Sequence, residues 1–271
     1  MRYEREEEEL KIRALFIALA LPPFVFLFLI SNITMVLLFA ILSFASLFEF
    51  SRLFFQPLER RFFLPFTLVP LVLLYAPSLR GWDHPALQAF WYACILTLVG
   101  WGITDRERVL EKVSFGVFAL VYCSFFPFFW IQAALKMGRT VVVGFMLLIW
   151  INETASYLFG RRWGVHKMIP RISPGKSWEG FAAGMVASGI TGAVLTQILW
   201  KEVSLTAAFL GALIVALTAF FGDVFESALK RQKKVKDSSH LLPGHGGVLD
   251  RFDSFFLSGP VIYLITFWWG G

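Results

Sequence analysis

Residues 205–269 read LTAAFLGALIVALTAFFGDVFESALKRQKKVKDSSHLLPGHGGVLDRFDSFFLSGPVIYLITFWW. Two apolar runs, each of about the length that crosses a hydrocarbon core, enclose a segment dense in Lys, Arg, Asp, His and Gly. Charge at this density is not needed to cross a bilayer or to pack within it. The stretch therefore predicts two membrane-spanning helices joined by a polar segment, Ser227–Asp253, that has a chemical role.

The rest of the chain repeats the apolar pattern. Of its 271 residues, 57% are apolar and only 16% are charged, which favours membrane-spanning helices over a soluble core. We predict an all-α, polytopic integral membrane protein. Residues 1–271 form a single domain, in which helices of 1–135 are a membrane scaffold and 136–271 carry the catalytic helices and loops. About nine spans are expected, at 12–30, 33–50, 62–77, 86–103, 113–133, 140–159, 179–199, 205–222 and 253–269.

The basic residues predict the orientation of these spans. With nine spans, 21 of the 25 Lys and Arg residues fall on the side of the N-terminus, and positive loops stay in the cytoplasm. The N-terminus is therefore predicted to be cytoplasmic and the C-terminus outside, with the polar segment facing the cytoplasm from the cell (inner) membrane. The same rule explains the net charge of +6, so no nucleic-acid partner is expected. The remaining four basic residues are Arg80, Lys136, Arg139 and Lys201.

Four acids are predicted to lie at one depth near the cytoplasmic surface. Asp223 ends the eighth span, Glu153 lies within the sixth, and the ninth is long enough to cross only if its helix begins near Asp250, which brings Asp253 to the same level. Carboxylates on neighbouring helices are typical ligands of Mg²⁺, and an acid at membrane depth is costly enough to be functional by default. The alternative is structural, with the acids forming ion pairs with Lys230, Arg231 and Arg251.

Between these acids lies the turn Pro243-Gly244-His245-Gly246-Gly247. Its glycines let the backbone approach a ligand closely, so that amides can point at phosphate oxygens. Glycine-rich turns are common, however, and the histidine fits an ordinary loop equally well. Positive charge of the kind that a polyphosphate needs is supplied nearby by Lys230, Arg231, Lys236 and Arg251.

A second basic loop, residues 160–178, reads GRRWGVHKMIPRISPGKSW. Lys176 and Ser177 open the seventh span, and a helix N-terminus beside such residues is suited to bind an anion. Ordinary capping of the helix by Ser173 or Ser177 explains the serines equally well. Gly180 and Gly184 form a GxxxG pair, which we interpret as close helix packing.

At these residues the chain resembles the CDP-diacylglycerol synthase (phosphatidate cytidylyltransferase) family. The signature of that family is matched without a gap from Ser227 to Asp253, and the likeness is strong over residues 150–260. One departure concerns Asn152-Glu153, where the family has Asn-Asp. Further matches are Gly222-Asp223, Gly160-Arg161, Ser173-Pro174, Lys176 and Glu179.

The resemblance implies that CTP and phosphatidic acid react to give CDP-diacylglycerol and pyrophosphate, a step of phospholipid biosynthesis at the lipid bilayer. It implies Mg²⁺ as cofactor; a second cation and a homodimer are left open. The implied metal ligands are Asp223, Asp250 and Asp253, with Glu153 as a further candidate. The implied catalytic residues are Asp223, Lys230, Lys236, Asp237, His245, Asp250 and Asp253. The implied substrate-binding residues are Arg161, Lys167, Ser173, Lys176, Ser177, Glu179, Ser227, Arg231, Gly244, Gly246, Gly247 and Arg251.

Two other functions are compatible with parts of this pattern. A CTP-dependent synthase acting on another lipid phosphate, such as an archaeal ether lipid, needs the same headgroup chemistry. An ion or solute transporter is disfavoured, because the polar residues gather at one face and no inverted repeat is visible. A CDP-alcohol phosphotransferase is disfavoured as well, because its spaced run of aspartates is absent.

Overall fold

The computed structural model describes residues 19, 21–77, 84–102, 107–200, 203–239, 241–242 and 246–269. Almost all of these residues are helical. The helices are α1 (Leu21–Ile30), α2 (Asn32–Phe54), α3 (Pro57–Tyr75), α4 (His84–Gly102), α5 (Val109–Leu120), α6 (Phe126–Met137), α7 (Arg139–Trp163), α8 (Trp178–Leu199), α9 (Leu205–Gln232) and α10 (Leu249–Trp269).

Five described helices are long and apolar enough to cross a membrane: α2, the continuous helix Val109–Met137, α7, α8 and α9. The chain is therefore a predominantly helical membrane protein, as predicted. The predicted start of the ninth span near Asp250 agrees with α10, which begins at Leu249. The number of nine spans and their sidedness remain predictions.

Two elements differ from the predicted spans. α9 continues from the predicted end at 222 to Gln232, because the charged residues that leave the apolar run are good helix formers. The loop before α8 contains a two-stranded antiparallel sheet of β1 (Lys167–Ile169) and β2 (Ser173–Ser177), in which Lys167 is paired with Ser177. The described part of the fold is thus helical with one small hairpin, which the expectation of an all-α fold did not include.

The chain divides into two compact units, residues 1–125 with 237–251 and residues 126–236 with 252–271. The prediction of a single integral membrane domain is not tested by this division. The first unit has an aromatic core, in which Trp101 is almost fully buried and its ring centre lies 4.8 Å from that of Phe55 and 5.0 Å from that of Phe63. In the same unit a π-helical turn, Val121–Phe125, follows α5, and the Tyr75 hydroxyl donates to the Ser124 carbonyl at 3.1 Å.

In the second unit, small residues let helices approach each other closely. A Cβ atom on Gly180 would lie 2.5 Å from the Ser156 carbonyl oxygen, and one on Gly184 would lie 2.5 Å from Asn152 Oδ1. The backbones of α7 and α8 therefore touch along the GxxxG pair, which confirms its interpretation as a packing motif. Ser177 caps α8 by accepting a hydrogen bond from the Gly180 amide at 3.2 Å, so this serine is the N-cap that the sequence left open.

Candidate active site

Close contact between α9 and α10 places two of the predicted aspartates side by side. A Cβ atom on Gly222 would lie 2.6 Å from the Asp253 carbonyl oxygen and 3.1 Å from Ser254 Cα. Only glycine allows this approach, and Asp223 is the next residue of α9. The Gly222-Asp223 pair thus combines a position that packing restricts to glycine with a predicted site carboxylate.

Four carboxylates gather in this region. Asp253 is buried and interacts electrostatically with Asp223, Glu226 and Glu153. Like charges repel each other strongly where water is scarce, so such a group is stable only with cations beside it. We infer that this cluster, which we call the acid cluster, is built to accept positive charge.

Lysines meet two members of the acid cluster. Lys176, on β2, donates to Asp223 Oδ2 at 2.5 Å, and its ammonium group lies 4.9 Å from the centre of the Phe220 ring. Lys230 forms an ion pair with Glu226 at 2.5 Å, one helical turn away on α9. The Ser227 hydroxyl also donates to Asp223, at 3.4 Å, which agrees with the predicted helical face of Asp223, Ser227 and Lys230.

The acid cluster borders a cavity of about 470 Å³ in the second unit. Positive groups stand on its wall beside the carboxylates of Asp223 and Glu153, and part of the wall is aromatic. A cavity of this volume is within the range that holds a small-molecule ligand. Its polar lining includes Asn152, Glu153, Ser156, Arg161, Lys167, Ser173, Lys176, Ser177 and Asp223, and its apolar lining includes Tyr157, Phe181, Ala219 and Phe220.

The β1–β2 hairpin holds one side of this cavity in place. Arg231 reaches from the end of α9 to donate to the Ile172 carbonyl at 3.2 Å and to the Val235 carbonyl at 2.7 Å. His166 Nδ1 lies 2.6 Å from Glu179 Oε1, and the His166 amide donates to the same carboxylate at 3.2 Å. In this structure Arg231 and Glu179 thus fix the hairpin that carries Lys176, rather than lining the cavity.

Asp250 lies in the first unit and has a different set of contacts. Its Oδ2 accepts hydrogen bonds from the Ser238 amide and hydroxyl, each at 2.9 Å, and from the Gly247 amide at 2.7 Å. Gly246 has a φ of +78°, and a Cβ atom there would lie 2.5 Å from Asp250 Oδ2. The aspartate therefore organises the glycine-rich segment, while its predicted role as a metal ligand stays a prediction.

The remaining predicted site residues lie in several different environments. Arg161 donates to the Tyr157 hydroxyl at 3.2 Å, a contact between two residues of α7. Asp237 is half-buried beside Gly246, whereas Lys236 and Arg251 are exposed. His245 and Gly244 lie outside the described residues.

Two buried acids were not predicted as site residues. Glu226 is fully buried in the acid cluster, and its spacing of three residues from Asp223 and four from Lys230 was the available signal. Glu49 is 1% exposed on α2 and is the only charged residue in the predicted span 33–50, so the cost of charge at membrane depth could have identified it.

The donor set of the acid cluster suits magnesium. Carboxylate oxygens on neighbouring helices are the ligands that this hard cation prefers, with water and substrate phosphates completing its shell. Within the described residues, no three Asp, Glu, His or Cys side chains stand together in the geometry of a complete metal site. The protein would thus supply a few oxygens, among them those of Asp223 and Asp253, which lie on the two helices that meet at Gly222.

Comparison with known proteins assigns nearly the whole sequence to one family. The sequence model of the cytidylyltransferase family matches residues 11–269. A phosphatidate cytidylyltransferase of Thermotoga maritima is 31% identical over 265 residues, covering 95% of this chain and 96% of that protein. One of Staphylococcus haemolyticus is 30% identical over 202 residues, or 74% and 77% of the two chains, and one of Pseudomonas aeruginosa is 40% identical over 126 residues, or 46% of each.

The match extends beyond the polar segment to nearly the whole chain, including the helices before residue 126 that carried no motif. A shared active-site motif alone would not produce that coverage. With its apolar helices, its acid cluster and its basic cavity wall, the chain belongs to the cytidylyltransferase family.

Proposed function

We propose that this protein is a phosphatidate cytidylyltransferase, which transfers the cytidylyl group of CTP to phosphatidate and releases pyrophosphate. The observation that carries the proposal is the cavity of about 470 Å³, in which Lys176, Arg161 and Lys167 stand beside Asp223 and Glu153. In a chain of this family, the basic side chains are suited to bind the phosphates of CTP, and the carboxylates beside them are suited to bind the metal ion that accompanies those phosphates.

The reaction sets modest demands on acid–base chemistry. A phosphate oxygen of phosphatidate attacks the α-phosphorus of CTP, the bond from that phosphorus to the bridging oxygen breaks, and pyrophosphate leaves with the electron pair. Because the attacking oxygen is already anionic, no side chain has to remove a proton from it. The protein has to bring two anions together and to stabilise charge on the departing group.

The basic residues of the cavity wall suit that task. Arg161 lies in the last turn of α7 and presents a planar group that can bind two phosphate oxygens at once, whereas Lys167 and Lys176 act as point charges on the hairpin. Their position on separate elements lets them contact different phosphates of one nucleotide. We assign them to binding and orientation of the CTP phosphates.

The acid cluster supplies the opposite charge. Asp223 and Asp253, with Glu226 and Glu153 nearby, would hold Mg²⁺. When bound, this cation offsets the negative charge of the phosphates and stabilises the leaving pyrophosphate. Lys176 on Asp223 and Lys230 on Glu226 offset the charge of these two carboxylates.

The lipid substrate is proposed to arrive from the bilayer. Tyr157, Phe181 and Phe220 give the cavity an apolar side, on which an acyl chain or glycerol backbone can pack. We place the site at the cytoplasmic face of the cell membrane, where CTP is available and where the basic loops are expected to lie.

The test uses purified protein, CTP labelled in its cytidine and a panel of lipid phosphates: phosphatidate, an archaeal-type ether-linked phosphate and an isoprenyl phosphate. We expect magnesium-dependent labelling of phosphatidate above the other two. Lys176→Gln should raise the KM for CTP, whereas Lys136→Gln, an exposed lysine of α6 away from the cavity lining, should leave it unchanged. Preferred labelling of another lipid phosphate would reassign the substrate, and no lipid-bound cytidine with any of them would refute the proposal.

A further inference from the structure

An acid in the N-terminal half of the chain is buried among apolar residues. Glu49 lies on α2 and is 1% exposed, although α2 is one of the most apolar helices of the chain. A buried carboxylate is strongly destabilising unless hydrogen bonds or counter-charges compensate it, and the same is true of a charge inserted into a membrane. Its position therefore needs a physical reason.

Three donors from one segment compensate this carboxylate. Its Oε1 accepts from the Val248 amide at 2.9 Å and from the Ser239 hydroxyl at 2.7 Å. Its Oε2 accepts from the Leu249 amide at 2.7 Å and lies 3.2 Å from the Ser238 hydroxyl, whose single proton has a shorter contact with Asp250. All of these residues belong to 238–249, the segment that leads into α10.

The two backbone amides are those at the start of a helix. α10 begins at Leu249, and the first amides of a helix have no partner within it. A negative charge there is also favoured by the helix dipole. Glu49 thus performs for α10 what an N-cap side chain normally performs, but from a distant helix.

The neighbouring glycine makes this arrangement possible. A Cβ atom on Gly247 would collide with both Glu49 Oε2 and the Ser238 hydroxyl. The same hydroxyl lies 2.9 Å from Asp250 Oδ2, so Ser238 joins the carboxylates of Glu49 and Asp250. The last glycine of the turn is therefore explained by contact with Glu49, without reference to a phosphate.

We infer that Glu49 is a positioning residue, which fixes the first turn of α10 and thereby the placement of Asp250 for the reaction. The inference rests on the proposed function, since it takes Asp250 as part of the reaction machinery. Asp250 follows Leu249 directly in this helix, and a shift of the helix start by one residue would turn its side chain by about 100°. The N-terminal helices are thus more than a membrane scaffold.

The test combines hydrogen exchange with a magnesium titration on the full-length protein in detergent. In Glu49→Gln, one amide would face an NH₂ group instead of an oxygen, so exchange of the Val248 and Leu249 amides should accelerate by about tenfold or more. The magnesium concentration for half-maximal turnover should rise roughly tenfold. This is the lower end of the roughly 10- to 100-fold loss of metal affinity that follows removal of a group that orients a metal ligand. Exchange in α7 and α8 should stay unchanged.

A matched control removes a different acid from the same half of the chain. Glu59 is largely buried and forms its ion pairs with Arg108 at 3.3 Å and with Lys112 at 3.4 Å, at the start of α5. Glu59→Gln should alter neither the exchange of Val248 and Leu249 nor the magnesium titration. Ser239→Ala, which removes one donor and is mild enough to fold, should move both readouts in the direction of Glu49→Gln by about two- to fivefold.

The two readouts separate the possible outcomes. Faster exchange with an unchanged magnesium titration in both variants would make Glu49 a purely structural residue and overturn the inference. Unchanged exchange would overturn it as well, whatever the titration shows. If the wild-type protein shows no CTP turnover, the proposed function fails, and accelerated exchange in the variants still reports separately whether Glu49 fixes the start of α10.

Discussion

Replacing Gly222 by alanine tests how the acid cluster is assembled. The added Cβ would stand 2.6 Å from the Asp253 carbonyl oxygen, whereas ordinary contact begins at 3.4 Å, so the backbones of α9 and α10 must separate by about 0.8 Å. Neither neighbour is a flexible side chain that could turn away. Overpacking of this kind costs about 1–3 kcal/mol of stability, and a displacement near 1 Å at a catalytic group can reduce turnover about 10²-fold.

The assay is turnover of CTP with phosphatidate per folded protein, with the folded fraction measured by thermal unfolding in the same detergent. Gly100→Ala is the matched control, because its Cβ would meet nothing within 4 Å, and it should retain full activity with equal or slightly higher stability. If Gly222→Ala were active within about twofold of the wild type, the close approach of α9 and α10 would not be what places Asp223, and the reasoning would be wrong.

Three further predictions concern charge and sidedness. Asp223→Asn and Asp253→Asn should each abolish turnover while the protein stays folded, because an amide cannot replace a carboxylate on a cation; near-normal rates at limiting magnesium would contradict this. Glu153→Gln should raise the magnesium needed for half-maximal activity and Glu153→Asp should do so less, whereas an unshifted titration would exclude this residue from the metal site. The cysteine of Ser173→Cys should react only with a reagent added on the cytoplasmic side, and that of Lys136→Cys only with a reagent added outside. Labelling of both from one side would refute the predicted orientation.

The apolar runs predicted the helices well, because helix is the structure that satisfies backbone polar groups in lipid. The start of α10 also followed from length alone, since a shorter helix could not cross. The hairpin of Lys167–Ser177 could not be predicted, because its pairing depends on contacts with Arg231 and on the helix that follows.

For the candidate site, the sequence identified Asp223, Asp253 and Lys176 from residue type and spacing, and the structure brings Asp223 together with each of the other two. Glu49 was missed as a site residue because its partners are nearly 200 positions away in the chain. Glu226 was hidden within a helical run whose charged residues look like an ordinary solvated end. For Glu49 the informative signal was charge within an apolar span, and for Glu226 it was the helical spacing from Asp223 and Lys230.

Position-specific labelling of CTP tests the central claim most directly. With purified protein, magnesium and phosphatidate, label at the α-phosphate should appear in the lipid, label at the γ-phosphate should appear in pyrophosphate, and the two products should form in equal amounts. Both should be lost together in Asp223→Asn. Release of free CMP or inorganic phosphate from CTP without any label in the lipid would contradict the account.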